Sequence, residues 1–117
     1  MVEVPFNPYP LSRKTKLALD EIKGTDSKTV SELFKAASDP ARIKIIKALG
    51  QRELCVCVLV NLTGVPYSTL SYHLKLLKDV DLITSDKDGS YIIYSLTPAG
   101  KMVQKFIRKL ENSTLDA

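Results

Sequence analysis

Long apolar runs are absent from this chain. The longest, Leu54 to Val60, is far short of the roughly 20 residues that a bilayer-spanning helix needs, so no membrane association is expected. A leader is not visible either. The opening MVEVPFNPYP holds an acid and three prolines where an apolar h-region would stand, and the chain is expected in the cytoplasm. Cysteine is scarce, with Cys55 and Cys57 alone. Two cysteines one residue apart cannot staple a secreted scaffold, and in a cytosolic protein they are expected as reduced thiols. Histidine is scarcer still, His73 being the single one. With one histidine, no glycine-rich phosphate loop, no paired acids and no catalytic partner beside the thiols, an enzyme is not expected.

What remains is an ordinary soluble composition. The 117 residues are 44% hydrophobic and 26% charged, which excludes wholesale disorder and fits one domain with a thin core. A net charge of +4 is compatible with an anionic partner and equally with a merely soluble surface. Three prolines fall in the first ten residues, which read as an irregular tail (1–10). The main domain is expected over 11–112, with a short C-terminal tail at 113–117.

Prolines and glycines divide the rest. Asp39-Pro40 and Thr97-Pro98 each place a capping side chain before a proline at the first helical position. Val30, Leu33, Phe34 and Ala37 recur at helical spacing. Ile43, Ile46, Ala48 and Leu49 follow Pro40 as a second helix, Cys55 to Leu62 reads as a short apolar one, and Pro66 to Lys78 carries Leu70, Leu74 and Leu77 on one side. Leu82 to Ser85 and Tyr91 to Leu96 alternate as strands around a turn at Asp86-Lys87-Asp88-Gly89. Met102, Val103, Phe106, Ile107 and Leu110 form an amphipathic stripe on Pro98 to Leu110. A weaker run, Leu11 to Lys23, offers Thr15, Ala18, Leu19 and Ile22 as its buried face.

Two short helices joined by Thr63-Gly64-Val65 are a helix-turn-helix signature. With the leucines of the second helix inward, Ser68, Tyr72, Lys75 and Asp79 lie opposite, Thr69 and Ser71 flank them, and His73 falls at the core edge. Hydroxyls and an amine near a helix start suit phosphates and base edges in a major groove, and a solvated surface is the other reading. A hairpin directly after such a helix makes a winged helix. Its tip sets Lys87 between Asp86 and Asp88, so few phosphate contacts are expected there.

Cys55 and Cys57 admit two readings: small buried hydrophobes, or a soft-ion pair. In a regular helix, positions i and i+2 lie about 200° apart, so their sulfurs cannot close on one ion. In an extended segment they share a side. A shared ion therefore requires the helix start to be unwound.

Leu33 to Leu49 (LFKAASDPARIKIIKAL), Glu53 to Leu59 (ELCVCVL), Gly64 to Leu77 (GVPYSTLSYHLKLL) and Ile83 to Leu96 together resemble the arsenic-repressor (ArsR/SmtB) family of winged-helix metalloregulators. The resemblance implies an α+β, mostly α fold: a winged helix-turn-helix with a two-stranded wing and N- and C-terminal dimerisation helices. It also implies a homodimer on a palindromic double-stranded DNA operator, released when a metalloid binds the cysteine pair. The DNA-binding candidates are Ser68, Thr69, Ser71, Tyr72, Lys75 and Lys87. The interface candidates are Leu19, Ile22, Met102, Phe106 and Leu110, and the inducer site is Cys55 with Cys57. No permanent cofactor is expected; the inducer is As(III) or Sb(III). The third cysteine common in the family's arsenic-type site is replaced by Val60, the acid after the second cysteine by Val58, and a basic recognition-helix residue by Tyr72. Residues 98–110 lack the histidines and acids of the family's zinc-type site. The rival readings are a thiol redox switch and a protein-interaction module with structural cysteines.

Overall fold

The computed structural model describes residues 9–115; residues 1–8 and 116–117, parts of the two expected tails, lie outside it. Six helices and three strands follow one another as α1 (Arg13–Lys23), α2 (Lys28–Ala37), α3 (Pro40–Leu49), β1 (Leu54–Cys55), α4 (Val56–Thr63), α5 (Tyr67–Asp79), β2 (Ile83–Asp88), β3 (Tyr91–Leu96) and α6 (Pro98–Leu115).

The helix starts follow the capping chemistry. Asp39 Oδ1 accepts from the backbone N–H of Ala41 at 2.8 Å and of Arg42 at 3.3 Å, with Pro40 in the first turn. Thr97 Oγ1 accepts from Gly100 N–H at 3.0 Å and donates to the Asp81 carbonyl at 2.6 Å, tying the start of α6 to the turn after α5. Gly100 is required by close approach, because a Cβ there would overlap the Leu82 carbonyl. Ser12 caps α1, accepting from Thr15 N–H at 3.2 Å.

The core is built from Ile45, Ile46 and Leu49 of α3, Leu59 of α4, Leu70, Leu74 and Leu77 of α5, and Leu82, Ile83 and Leu96 from the sheet side. Val103 and Ile107 of α6 pack on it half-buried. Ile45, absent from the expected α3 face, is fully buried, while Ile43 and Ala48 are only half-buried. On α2, Leu33 and Ala37 pack as expected, but Val30 and Phe34 are exposed and Ala36 is buried instead. No residue of α1 is buried, so the expected inner face of Thr15, Ala18, Leu19 and Ile22 faces outward.

The sheet is antiparallel in the order β1-β3-β2. The third strand, β1, was not expected; it sets Leu54 opposite Tyr94 and Cys55 opposite Ile93. The wing is longer than its alternation suggested. Asp86, Lys87 and Asp88 continue β2 opposite Ile93, Ile92 and Tyr91, and the turn falls at Gly89-Ser90, with Gly89 at φ +63°. Charged side chains on an exposed strand end keep their solvent, so they do not stop the pairing. Helix α6 likewise passes the expected boundary at 112: no glycine or proline follows Leu110, and Glu111 pairs with Lys47 at 2.8 Å.

The molecule is elongated, 63 × 33 × 23 Å, with a Cα radius of gyration of 19.6 Å. A compact chain of this length would have about 13 Å.

Candidate nucleic-acid interface and thiol pair

The turn between α4 and α5 rests on Gly64, whose φ of +69° is left-handed and whose N–H donates to the Val60 carbonyl at 3.0 Å. A Cβ would oppose that backbone. Thr63 Oγ1 donates back to the Leu59 carbonyl at 2.8 Å, closing the end of α4. Helix α5 then turns Leu70, His73, Leu74 and Leu77 into the interior. Its other face exposes Ser68, Thr69, Ser71, Tyr72 and Lys75 together. Lys75 lies 3.7 Å from the Asp79 carboxylate, both well exposed, a weak pair that leaves the ammonium available. Lys87 is exposed on β2 between two exposed acids, away from the α5 group in the chain.

Between α5 and the sheet runs a groove of about 290 Å³ lined by Ser71, Leu74, Lys75, Lys78, Asp79 and Tyr94. Lys78 Nζ donates to Ser85 Oγ at 2.8 Å, joining the helix to the wing. Burial pushes the Tyr94 hydroxyl above its ordinary range, and Tyr67 adds to the shift. Lys78 and Tyr94 were missed as candidates. Lys78 is seven residues after Ser71 and so shares its face, a signal the spacing already held.

The back of α5 is fixed by a second link the sequence did not reveal. His73 Nδ1 lies 3.0 Å from Arg42 Nη1, and Arg42 Nε donates to the Ala36 carbonyl at the end of α2. Arginine offers only donors, so Nδ1 is the acceptor in this contact. Burial raises the nearby Asp39 carboxyl, but the backbone N–H groups of Arg42 and Ala41, with the charge of Arg42, hold it below its ordinary value. One arginine thus joins α2, α3 and the buried side of α5.

Cys55 does not open a helix, as the apolar run suggested. It ends β1 in an extended conformation (φ −78°, ψ 161°), and the helix begins at Val56. The expectation of separate reduced thiols is also corrected: a disulfide joins Cys55 to Cys57, with Cα atoms 5.5 Å apart. The reason is the change from strand to helix between the two residues, which puts both sulfurs on one side as a regular helix cannot. Cys55 is half-buried and Cys57 exposed. Among the described residues, no group of three or more His, Cys, Asp or Glu gathers. Two adjacent thiolates, once reduced, fit a soft ion. Leu19, Ile22, Met102, Phe106 and Leu110 are 48%, 63%, 73%, 50% and 52% exposed, on the two outer helices.

A glycine-turned helix pair with an exposed polar second helix, followed at once by a β-hairpin, is a winged helix-turn-helix, the architecture of DNA-binding transcription regulators. The model of the bacterial regulatory protein arsR family matches residues 39–85. The cadmium resistance transcriptional regulatory protein CadC of Listeria innocua is 38% identical over 82 residues, 69% of either chain. The arsenical resistance operon repressor of Bacillus subtilis is 40% identical over 79 residues, 67% of this chain and 75% of that one. In fold, the chain is similar to the homodimeric winged helix-turn-helix domain of Mb0332 from Mycobacterium bovis, with a TM-score of 0.69, 21% identity, and coverage of 91% of this chain and 92% of that one. The chain belongs to the arsR family of bacterial regulatory proteins. It is a winged-helix, DNA-binding transcriptional repressor and not an enzyme.

Proposed function

We propose that the chain acts as a cytoplasmic homodimer on an operator and releases it when As(III) or Sb(III) binds Cys55 and Cys57. One observation carries the reading: Cys55 belongs at once to the strand paired with the wing and to the start of the helix-turn-helix. A ligand that changes the backbone there acts on both DNA-facing elements. Soft thiolates select thiophilic ions, and the names of the arsenical and cadmium relatives point to the same ligand class. A cadmium ion would leave half its coordination sites to solvent at two thiolates. Trivalent arsenic needs one more bond, which a hydroxide or a small thiol supplies.

On DNA, Ser68, Thr69, Ser71 and Tyr72 take the base edges and nearby phosphates, Lys75 a phosphate, and Lys87 the flanking backbone. Residues 11–112 act as one unit. In the homodimer, Leu19 and Ile22 of α1 and Met102, Phe106 and Leu110 of α6 are covered by the second copy. The apolar stripes on two outer helices and the elongated outline support this arrangement. The test is a titration of the reduced chain against the DNA upstream of its own gene, with and without arsenite. Binding that arsenite reverses is expected. Binding that arsenite leaves unchanged excludes the inducer, and no preference over random DNA excludes the operator.

A further inference from the structure

We propose that Arg42 is a positioning residue for DNA recognition: through His73 it fixes the rotation of α5 about its own axis, and with it the aim of the side chains on the outer face. The proposal rests on α5 being the helix that faces DNA and is independent of any inducer.

The buried side of α5 calls for such a device. Leu70, Leu74 and Leu77 hold the helix to the core by apolar contact, which has no preferred direction. Among the described residues, His73 is the one buried polar side chain on α5, 8% exposed. Its Nδ1 lies 3.0 Å from Arg42 Nη1, and a hydrogen bond does have a direction. Packing beside this bond is open. A cavity of about 360 Å³ runs between Lys35 and Ala36 of α2, Arg42, and Leu76 and Asp79 of α5. Close packing therefore does not set the spacing of α2 and α5 there; Arg42 joins the two helices instead.

Arg42 is itself held. Its backbone N–H donates to Asp39 Oδ1 at 3.3 Å in the cap of α3. Its Nε donates to the Ala36 carbonyl near the end of α2, which leaves Nη1 for His73. Both donors belong to one planar fork, so fixing one fixes the direction of the other. A lysine offers a single ammonium and cannot reproduce that fork.

The outer face of α5 carries Ser68, Ser71 and Tyr72, all exposed, and the Tyr72 ring centroid is 6.1 Å from that of His73. A rotation of about 10° moves an atom at the outer edge of a helix by about 1 Å. Recognition needs placement to about 0.5 Å. Whatever pose α5 takes on DNA, a helix held before contact loses less freedom on binding. Base-edge contacts depend on this aim, whereas a phosphate contact from a long, flexible lysine tolerates its loss. The link therefore serves sequence preference more than general DNA affinity.

The test compares full-length reduced proteins on two duplexes: the site that the unaltered protein selects from random sequence, and a scrambled duplex. Arg42→Lys keeps the charge and loses the fork. His73→Leu fills the space and loses the acceptor, and His73→Asn restores an acceptor near the place of Nδ1. Circular dichroism checks folding at the assay temperature. For Arg42→Lys and His73→Leu, the preference for the selected site should fall about tenfold, with scrambled-DNA Kd within about twofold and an unchanged salt slope. The double variant should be no worse than either single one, because both remove one link. His73→Asn should stay within about threefold of the unaltered preference. Should Arg42→Lys fail to fold, the two His73 variants decide alone. Folded variants with the unaltered preference, or with a higher one, overturn the proposal. So does His73→Asn as poor as His73→Leu, which makes the role one of packing. A salt slope lowered by about one in Arg42→Lys also overturns it, because Arg42 then touches phosphate itself. Ser68→Ala separates the proposal from its premise. If it alters preference while the Arg42 and His73 variants do not, the positioning role fails alone. If none of them alters preference, the DNA-facing reading of α5 fails with it.

Discussion

Gly64 and Asp39 show how single residues set the recognition unit. At φ +69°, Gly64 occupies a region that costs an alanine about 1 kcal/mol or more. Gly64→Ala should lower the unfolding free energy in urea by about that amount and weaken DNA binding as α5 tilts. An unchanged urea midpoint would show that the turn relaxes without strain. Asp39 caps α3 with two backbone bonds, so Asp39→Ala should cost about 1 kcal/mol at neutral pH. The loss should depend on pH in a stated direction. The folded carboxyl is held below its ordinary value. Its stabilisation is therefore complete above the unfolded value of about 3.9 and fades as pH falls through the lower folded value. Urea titrations of both proteins from neutral to acid pH should show the gap constant above about pH 5 and closing below about pH 4. A gap that widens in acid would contradict the assignment.

At the level of elements, the parts with local signals were legible. Capped prolines marked α3 and α6, spaced leucines marked α5, and Gly64 marked the turn before it. Elements defined by distant partners were not. The two residues of β1 carry no alternation of their own, and only pairing with Ile93 and Tyr94 makes them a strand. That missing strand explains why the sulfurs looked splayed when Cys55 was read as helical. Arg42 and His73 are 31 positions apart, and nothing in either local pattern announces their contact. The candidate DNA face, by contrast, was almost fully visible, because exposure on a helix follows from the inward leucines. Lys75→Ala should weaken binding to all DNA sequences and lower the salt slope by about one, whereas Ser68→Ala should alter sequence preference more than salt dependence. Equal binding by Lys75→Ala and the unaltered protein across a salt series would remove this helix from the DNA backbone.

At the scale of the whole molecule, apolar side chains stay uncovered on the two outer helices. Helix α1 buries nothing within its own chain, and α6 leaves Met102 and Phe106 in solvent although both continue an apolar stripe. Sequence patterning marked these side chains as apolar faces; whether their cover comes from the same chain or another copy is not written in periodicity. This is why the α1 face was read as internal. Phe106→Asp should convert the proposed dimer to monomer in sedimentation while the helical circular dichroism persists, because the half-buried Val103 and Ile107 still hold α6 to the core. A stable dimer of that variant would reassign the interface. Inducer control is also a whole-molecule property, since a ligand shifts DNA occupancy only by its differential affinity for the free and bound forms. In the proposed function, two thiolates supply that difference. The most direct measurement is DNA release against arsenite concentration for the reduced protein and for Cys55→Ser and Cys57→Ser. Both variants should bind DNA like the unaltered protein and remain bound at arsenite concentrations that release it. Release of either serine variant at the unaltered protein's midpoint would contradict the assignment of the pair as the inducer site.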